Sequence, residues 1–278
     1  MTMKILDGTE LVGYIEERQA RQVRALRQSW RVIPCLAIIQ TSDNPVIDTY
    51  VRLKQRYGDE INIEVRIFKV TDDEMMATIT RCNEDVSIHG IIIQLPLSDV
   101  SMTDVAVNLV APEKDVDGLG ANAQLEPATP MAIDWLLAGY NVSLEHKKIA
   151  IVGEGRLVGR PLAALWRSGG YDVTSFHHTS NDLRNQLSAY DVIVTATGVP
   201  GLIGSNMVQP GAIIVDAGTA AEHGKIVGDV ADDVRARGDI TITPVKGGVG
   251  PLTVAALFDN VIRAARVVAD EKGQQDLV

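Results

Sequence analysis

The chain has 278 residues, enough for one large or two modest domains, and its 46% hydrophobic and 22% charged residues exclude a disordered or fibrous protein. A net charge of -10 argues against binding to nucleic acids or anionic membranes, and no apolar run approaches the roughly 18 residues of a membrane span. With only two cysteines and no CxxC pair, the composition predicts a cytoplasmic protein without a disulfide framework or a zinc ribbon.

Apolar segments of strand length recur along the chain and alternate with amphipathic stretches that have helical spacing. Strands are predicted at 34–40, 63–70, 89–97, 148–153, 171–178, 191–198 and 213–218, and helices at 11–30, 131–137 and 252–268. Continuously apolar strands separated by helices are typical of parallel sheets that are covered on both faces. We therefore predict an α/β fold. A segment rich in proline and glycine before the strand at 148 places a domain boundary near residue 140.

Polar residues stand out beside the apolar strands of the first half. Tyr50 and Lys54 are four residues apart on a helix that Asn44 or Asp43, with Pro45, would start. Such a pair is usually part of an ordinary amphipathic face. Gln94 follows the apolar residues GIII, at the end of a parallel strand where open α/β sheets bind ligands, although a capping role is equally simple.

Two aspartates, Asp115 and Asp117, lie before Gly118 in a segment rich in turn-forming residues. A solvated acidic turn is the simplest interpretation. Two carboxylates also suggest a metal site, but no histidine is nearby and Lys114 is adjacent, which argues against one.

A strand, a glycine-rich turn and a helix follow one another in KKIAIVGEGRLVGRPLAALW. Gly153 permits a tight turn, Gly155 permits close approach of backbone N–H groups to a pyrophosphate, and Gly159 opens a helix whose positive end faces that charge. The spacing GxGxxxG is a weak signal by itself. The further strands that end in small residues favour a dinucleotide site.

The second strand of this half ends without the acid that usually binds the ribose of NAD. His177 and His178 stand there, either as a solvated pair or as a polar edge near the ribose. Glu154 would repel a 2′-phosphate if its carboxylate faced the ribose, and it would be a plain loop acid otherwise.

Six segments in this order resemble one family: TYVRLK, GIIIQLPL, APEKDVDGLG, EPATP, IVGEGRLVGRP and TPVKGGVGPLT. The chain is similar, from about residue 4 to 268, to the bifunctional methylenetetrahydrofolate dehydrogenase/methenyltetrahydrofolate cyclohydrolase (FolD) family. The resemblance implies a homodimer that acts on tetrahydrofolate derivatives in one-carbon metabolism, using NADP or NAD. It implies a catalytic folate-binding domain at 1–140, joined by a C-terminal helix at 252–278, a Rossmann-type domain at 141–251, and a folate cleft between the domains.

The resemblance also implies roles for individual residues. Lys54 would be the catalytic lysine, hydrogen-bonded to Gln94, while Tyr50 would stack on the folate and Asp117 would bind the pterin ring. Gly248 and Pro251 belong to the loop that would close over the substrate. The residues assigned to the cofactor are Gly153, Glu154, Gly155, Arg156, Val158, Gly159, His177, His178, Thr197 and Gly198.

The sequence departs from the family pattern at positions that affect the cofactor. Glu154 replaces an arginine that helps to hold the 2′-phosphate of NADP, and His178 replaces a serine. We therefore predict a preference for NAD, which Arg156 or Arg160 would oppose if either restored the positive charge.

Three further positions depart from the family pattern outside the glycine turn. Ala128 stands in place of a cysteine, Ile47 in place of a common serine and Lys246 in place of a proline. The alternatives to a bifunctional enzyme are a dehydrogenase without cyclohydrolase activity, a catalytically silent folate- or nucleotide-binding protein, and a Rossmann dehydrogenase of a small acid.

Overall fold

The computed structural model describes residues 4–180, 183–222 and 225–275. Within this part of the chain, the strands are β1 (Lys4–Ile5), β2 (Cys35–Gln40), β3 (Glu64–Lys69), β4 (Gly90–Ile93), β5 (Lys148–Val152), β6 (Asp172–Phe176), β7 (Val192–Thr195), β8 (Ile213–Asp216), β9 (Ala220–Glu222), β10 (Lys225–Val227) and β11 (Thr241–Ile242). The α-helices are α1 (Gly8–Ser29), α2 (Pro45–Ile61), α3 (Asp72–Glu84), α4 (Thr103–Leu109), α5 (Ala128–Gly139), α6 (Gly159–Ser168), α7 (Leu183–Gln186), α8 (Asp232–Arg235) and α9 (Val249–Gln275). The described helices include none that is long and apolar enough to cross a membrane.

The chain divides into two compact units. The first unit comprises Gly13–Ala128 and Val254–Val278, and the second comprises Met1–Val12 and Thr129–Thr253. This division falls at the start of α5, between Ala128 and Thr129, whereas the boundary was predicted near residue 140. The rest of α5 packs within the second unit, where Trp166 Nε1 donates to Asp134 Oδ1 at 2.5 Å. Residues 1–3 and 276–278, which the predicted domains include, lie outside the described residues, as do 181–182 and 223–224.

The first unit contains a three-stranded parallel sheet in the order β3-β2-β4. All residues of β2 and β4 are buried, which is what a sheet covered on both faces requires. The α/β class with parallel sheets, predicted from the apolar runs, is therefore confirmed.

The second unit contains a six-stranded parallel sheet in the order β1-β11-β8-β7-β5-β6. Its strands run outward from β5 in both directions, so the order reverses between β5 and β7. In doubly wound sheets the ligand crevice lies at this reversal, outside the carboxyl ends of the two strands. β1, the antiparallel pair β9–β10 and β11 were not predicted, because strands of two or three residues are too short to show a pattern.

His89 is a buried titratable group at the start of the first sheet. It is 6% exposed, and its Nδ1 has no hydrogen-bond partner among the described residues. Burial lowers the pKa of His89 from 6.5 to about 4, and the nearby positive charges of Lys114 and Lys272 act in the same direction. The folded protein therefore holds this imidazole neutral at pH values where the unfolded chain protonates it.

We expect this histidine to make the protein less stable in acid. The destabilisation by His89 is small above pH 6.5 and grows as the pH falls toward 4. There it reaches about 3 kcal/mol of lost folding free energy. His89→Gln removes the titration, so its urea midpoint should fall less between pH 7 and pH 4.5 than that of the wild type. The exposed His146, at φ 61, gives the control His146→Asn, which should behave like the wild type. Equal acid sensitivity in all three proteins would contradict the prediction.

Candidate functional site

Helix α2 presents the first pair of predicted residues. Asn44 caps the helix, its Oδ1 accepting from Val46 N at 2.8 Å, with a proline at the first helical position. Tyr50 and Lys54 then lie one turn apart on the same face. Tyr50 is 37% exposed, so part of its ring is available to a ligand.

Lys54 and Gln94 are brought together although forty residues separate them in sequence. Lys54 Nζ donates to Gln94 Oε1 at 2.7 Å. Gln94 follows β4, is 8% exposed, and is fixed by its backbone N–H to Ile39 O at 2.8 Å. Its Nε2 donates to Leu95 O at 3.0 Å, so the amide oxygen faces the lysine. The neutral amide oxygen accepts a hydrogen bond from Nζ in either charge state of the lysine.

Burial and the attraction between Lys54 and Asp117 shift the pKa of each group in opposite directions. Burial lowers the pKa of Lys54, and the carboxylate of Asp117 acts in the opposite direction. Burial raises the pKa of Asp117, opposed by Lys54 and reinforced by Asp115. A lysine with a lowered pKa exchanges protons more readily near neutral pH, which suits it to acid–base chemistry.

Asp117 lies on a turn that Asp115 shapes from inside. Asp115 is 4% exposed and accepts from Gly118 N at 3.0 Å and from Gly120 N at 2.7 Å. Gly118 has φ +67, and a Cβ there would lie 2.7 Å from Pro127 N, so only glycine fits. Asp115 is thus a buried anchor of the backbone and not a solvated acid. No group of metal-binding side chains occurs among the residues that the structure describes.

The glycine turn lies at the strand reversal of the second unit. Gly153 has φ +107, and a Cβ there would lie 2.5 Å from Ala196 O, so the turns after β5 and β7 are in backbone contact. At Gly159 a Cβ would collide with Gly153 O, so only glycine allows α6 to begin directly against the turn. Gly155 has open space around it within the described structure. The turn and the start of α6 therefore leave room for a phosphate group at a helix N-terminus. Val158 is the residue directly before α6.

The loop after β7 is the opposite wall of this crevice. Gly198 has φ +68, and Thr197 N donates to the carboxylate of Asp229 at 2.6 Å. The same Oδ2 atom of Asp229 accepts from Thr195 Oγ1 at 2.7 Å, and Asp229 is 1% exposed. Asp229 was not predicted from the sequence, because a single aspartate in a loop shows no pattern until the fold brings it to Thr195 and Thr197.

The residues predicted to meet the ribose are exposed. The His177 and His178 rings contact each other at a tilt of 38°, with centroids 4.2 Å apart, and His177 Nδ1 lies 2.7 Å from Thr179 Oγ1. The Glu154 side chain is exposed, and its backbone oxygen accepts from Arg160 Nε at 2.9 Å. The Arg160 guanidinium therefore places a positive charge at the same turn as Glu154. Arg156 is only partly exposed.

Gly248 and Pro251 lie in the second unit at the start of α9. Gly248 directly precedes the helix and Pro251 is in its first turn. The neighbouring Gly247, at φ +87, accepts from Thr9 N at 3.0 Å, which ties this loop to the start of α1.

Comparison with protein families finds two matches. Residues 6–117 match the catalytic domain of tetrahydrofolate dehydrogenase/cyclohydrolase, and residues 127–269 match the NAD(P)-binding domain of the same family. Among curated proteins, the bifunctional protein FolD of Campylobacter jejuni is 36% identical over 279 residues, covering 95% of this chain and 99% of that protein.

Solved structures agree with these matches. The crystal structure of the bifunctional enzyme FolD from Campylobacter jejuni superposes with a TM-score of 0.89 at 36% identity, covering 95% of this chain and 99% of that one. The methylenetetrahydrofolate dehydrogenase-cyclohydrolase of Trypanosoma brucei, solved with NADP and an inhibitor, gives a TM-score of 0.90 at 29% identity, covering 96% and 99%.

Proposed function

The chain belongs to the tetrahydrofolate dehydrogenase/cyclohydrolase family, and we propose that Lys54, Gln94, Tyr50 and Asp117 carry its folate chemistry. It is a bifunctional enzyme that oxidises 5,10-methylenetetrahydrofolate to the 5,10-methenyl form with NAD(P) and hydrolyses that form to 10-formyltetrahydrofolate. The observation that carries the residue assignment is the 2.7 Å hydrogen bond between Lys54 Nζ and Gln94 Oε1, beside the carboxylate of Asp117.

Lys54 moves the proton in the hydrolytic step. Water that attacks the cationic methenyl carbon loses a proton, and a lysine whose pKa is lowered by burial accepts or relays it. Gln94 holds Nζ in one position without adding a charge. A neutral lysine also avoids repulsion from the cationic carbon.

Asp117 and Tyr50 hold the folate. The Asp117 carboxylate accepts hydrogen bonds from the amino and ring N–H groups of the pterin, and the exposed part of the Tyr50 ring stacks on the aromatic part of the substrate. Gly248 and Pro251 contribute to the loop that covers the substrate, a role that rests on the match of TPVKGGVGPLT to the family.

The glycine turn of the second unit would hold the cofactor. NAD(P), when bound, would supply the hydride acceptor for the oxidation. The open space at Gly155 and the N-terminus of α6 suit its pyrophosphate. Gly153, Arg156, Val158 and Gly159 line this turn. Thr197 and Gly198 form the opposite wall, and Glu154, His177 and His178 lie toward the ribose.

We expect NAD to be the better cofactor. NADP adds one 2′-phosphate, and the exposed Glu154 replaces the arginine that would pair with it. The assay follows methenyl formation by absorbance with each cofactor on one preparation near neutral pH, and then follows its hydrolysis. We expect kcat/KM to be higher with NAD, and Glu154→Arg to raise kcat/KM with NADP by about tenfold.

The exposed Glu145 provides the matched control. Glu145→Arg makes the same charge change in the same unit and should leave the NADP reaction within about twofold of the wild type. A wild type that prefers NADP would refute the prediction. A chain that oxidises without hydrolysing, or does neither, would point to the monofunctional or the silent alternative. The homodimer and the cytoplasmic location stay predictions from the resemblance and the composition.

A further inference from the structure

A side chain of α9 ties together the two ends of the segment that carries Asp117. Asn260 is fully buried, at 0% exposure. Its Nδ2 donates to Val116 O at 2.9 Å and to Glu126 O at 2.8 Å. The first of these carbonyls belongs to the peptide bond that leads directly into Asp117.

The identity of the residue at 260 follows from its partners. Both are carbonyl oxygens, which only accept, so the amide nitrogen must face them and both of its hydrogens are used. The Oδ1 atom is buried and has no hydrogen-bond partner among the residues that the structure describes. Burying an amide whose oxygen has no hydrogen-bond partner costs folding free energy. We therefore attribute the role of Asn260 to the two hydrogen bonds that its nitrogen donates.

The other hydrogen bonds hold the first half and the middle of the segment, where Ala121 N donates to Asn108 Oδ1 at 2.8 Å and Gln124 N donates to Pro112 O at 3.2 Å. Ile91 N donates to Lys114 O at 2.8 Å, and the Asp115 carboxylate holds Gly118 N and Gly120 N. None of these bonds reaches Glu126. Asn260 therefore closes the segment 116–126 into a loop of one shape, with Asp117 at its start.

We propose that Asn260 is a positioning residue for folate binding, which acts by holding the Asp117 loop, and this rests on the proposed function of Asp117. Its two bonds fix the carboxylate relative to Lys54 and the pterin. Displacement of a positioned group by about 1 Å is enough to cost a large part of its effect. The residue touches no substrate and needs no charge of its own.

The test replaces the amide by a side chain of similar size without donors. Asn260→Leu should speed hydrogen exchange of the backbone amides in 116–126 and raise KM for methylenetetrahydrofolate by about tenfold or more. KM for NAD(P) should stay within about twofold of the wild type, because the cofactor residues lie in the other unit. If Asn260→Leu does not fold, Asn260→Ser, whose single hydroxyl can donate to only one of the two carbonyls, takes its place.

Gln19 of α1 provides a matched control, because it binds the same helix α9 from outside. It is also 0% exposed, and its Nε2 donates to Ala255 O of α9 at 2.8 Å, without touching 116–126. Gln19→Leu should lower the melting temperature but leave the exchange of 116–126 and the folate KM unchanged. Equal folate effects in the two variants would overturn the proposal, because they would reflect general loss of stability.

Two further outcomes would also overturn the proposal. Unchanged exchange in Asn260→Leu would show that Asn260 does not hold the loop, and faster exchange with an unchanged folate KM would overturn its role in binding. A wild type without folate turnover would refute the proposed function and the folate part of this inference. The exchange result would then still decide whether Asn260 holds the loop.

Discussion

Replacing Lys54 by methionine is expected to lower the turnover of methenyl hydrolysis by about a hundredfold or more while the protein stays folded. Methionine keeps the aliphatic stem but neither donates to Gln94 Oε1 nor takes a proton from water. Because burial disfavours the charged form of this lysine, its removal should not destabilise the fold. Hydrolysis is measured by the loss of methenyl absorbance, and folding by circular dichroism.

The adjacent exposed residue Gln55 gives the matched control on the same helix. Gln55→Met should hydrolyse the substrate at the wild-type rate. If Lys54→Met also did so, another group would carry the proton. The dehydrogenase activity of Lys54→Met should fall no more steeply than hydrolysis, because hydride transfer itself needs no proton from Nζ.

Asp117→Ala should weaken folate binding by about tenfold to a hundredfold, the equivalent of about 1.5 to 3 kcal/mol for a charged hydrogen bond. The loss should be specific, because Asp117 lies in the first unit and the glycine turn in the second. Titrations with the folate and with NAD(P) measure each affinity separately. The exposed Glu113, in the same acidic stretch of sequence just before Asp117, gives the control Glu113→Ala, which should bind both ligands normally.

The same variant carries a second readout. The Asp117 carboxylate raises the pKa of Lys54 against the effect of burial, so its removal should lower the pKa of the lysine further. If hydrolysis requires neutral Lys54, its acid limb should move to lower pH in Asp117→Ala. Equal losses for folate and cofactor, with no change in the pH profile, would indicate instead that the turn had misfolded.

The sequence by itself determined the class of fold and most of its elements. The strands β2, β5 and β7 and the helix α2 were predicted because apolar runs and helical spacing are local properties of the chain. The glycine turn could also be predicted from the sequence, since glycine adopts the backbone conformation of Gly153 (φ +107) with the least strain. The order of six motifs added the family, and with it the pairing of Lys54 with Gln94.

Only the tertiary structure decided which distant groups meet. Asp115 looked like a solvated acid in sequence, but the fold buries it under its own turn, where backbone N–H groups satisfy it. Asn260 and Asp229 showed no pattern, because each binds backbone atoms far away in the chain. β1 joins the sheet of the second unit through two residues alone. Such contacts depend on how elements pack, and packing is a property of the whole chain that no local spacing encodes.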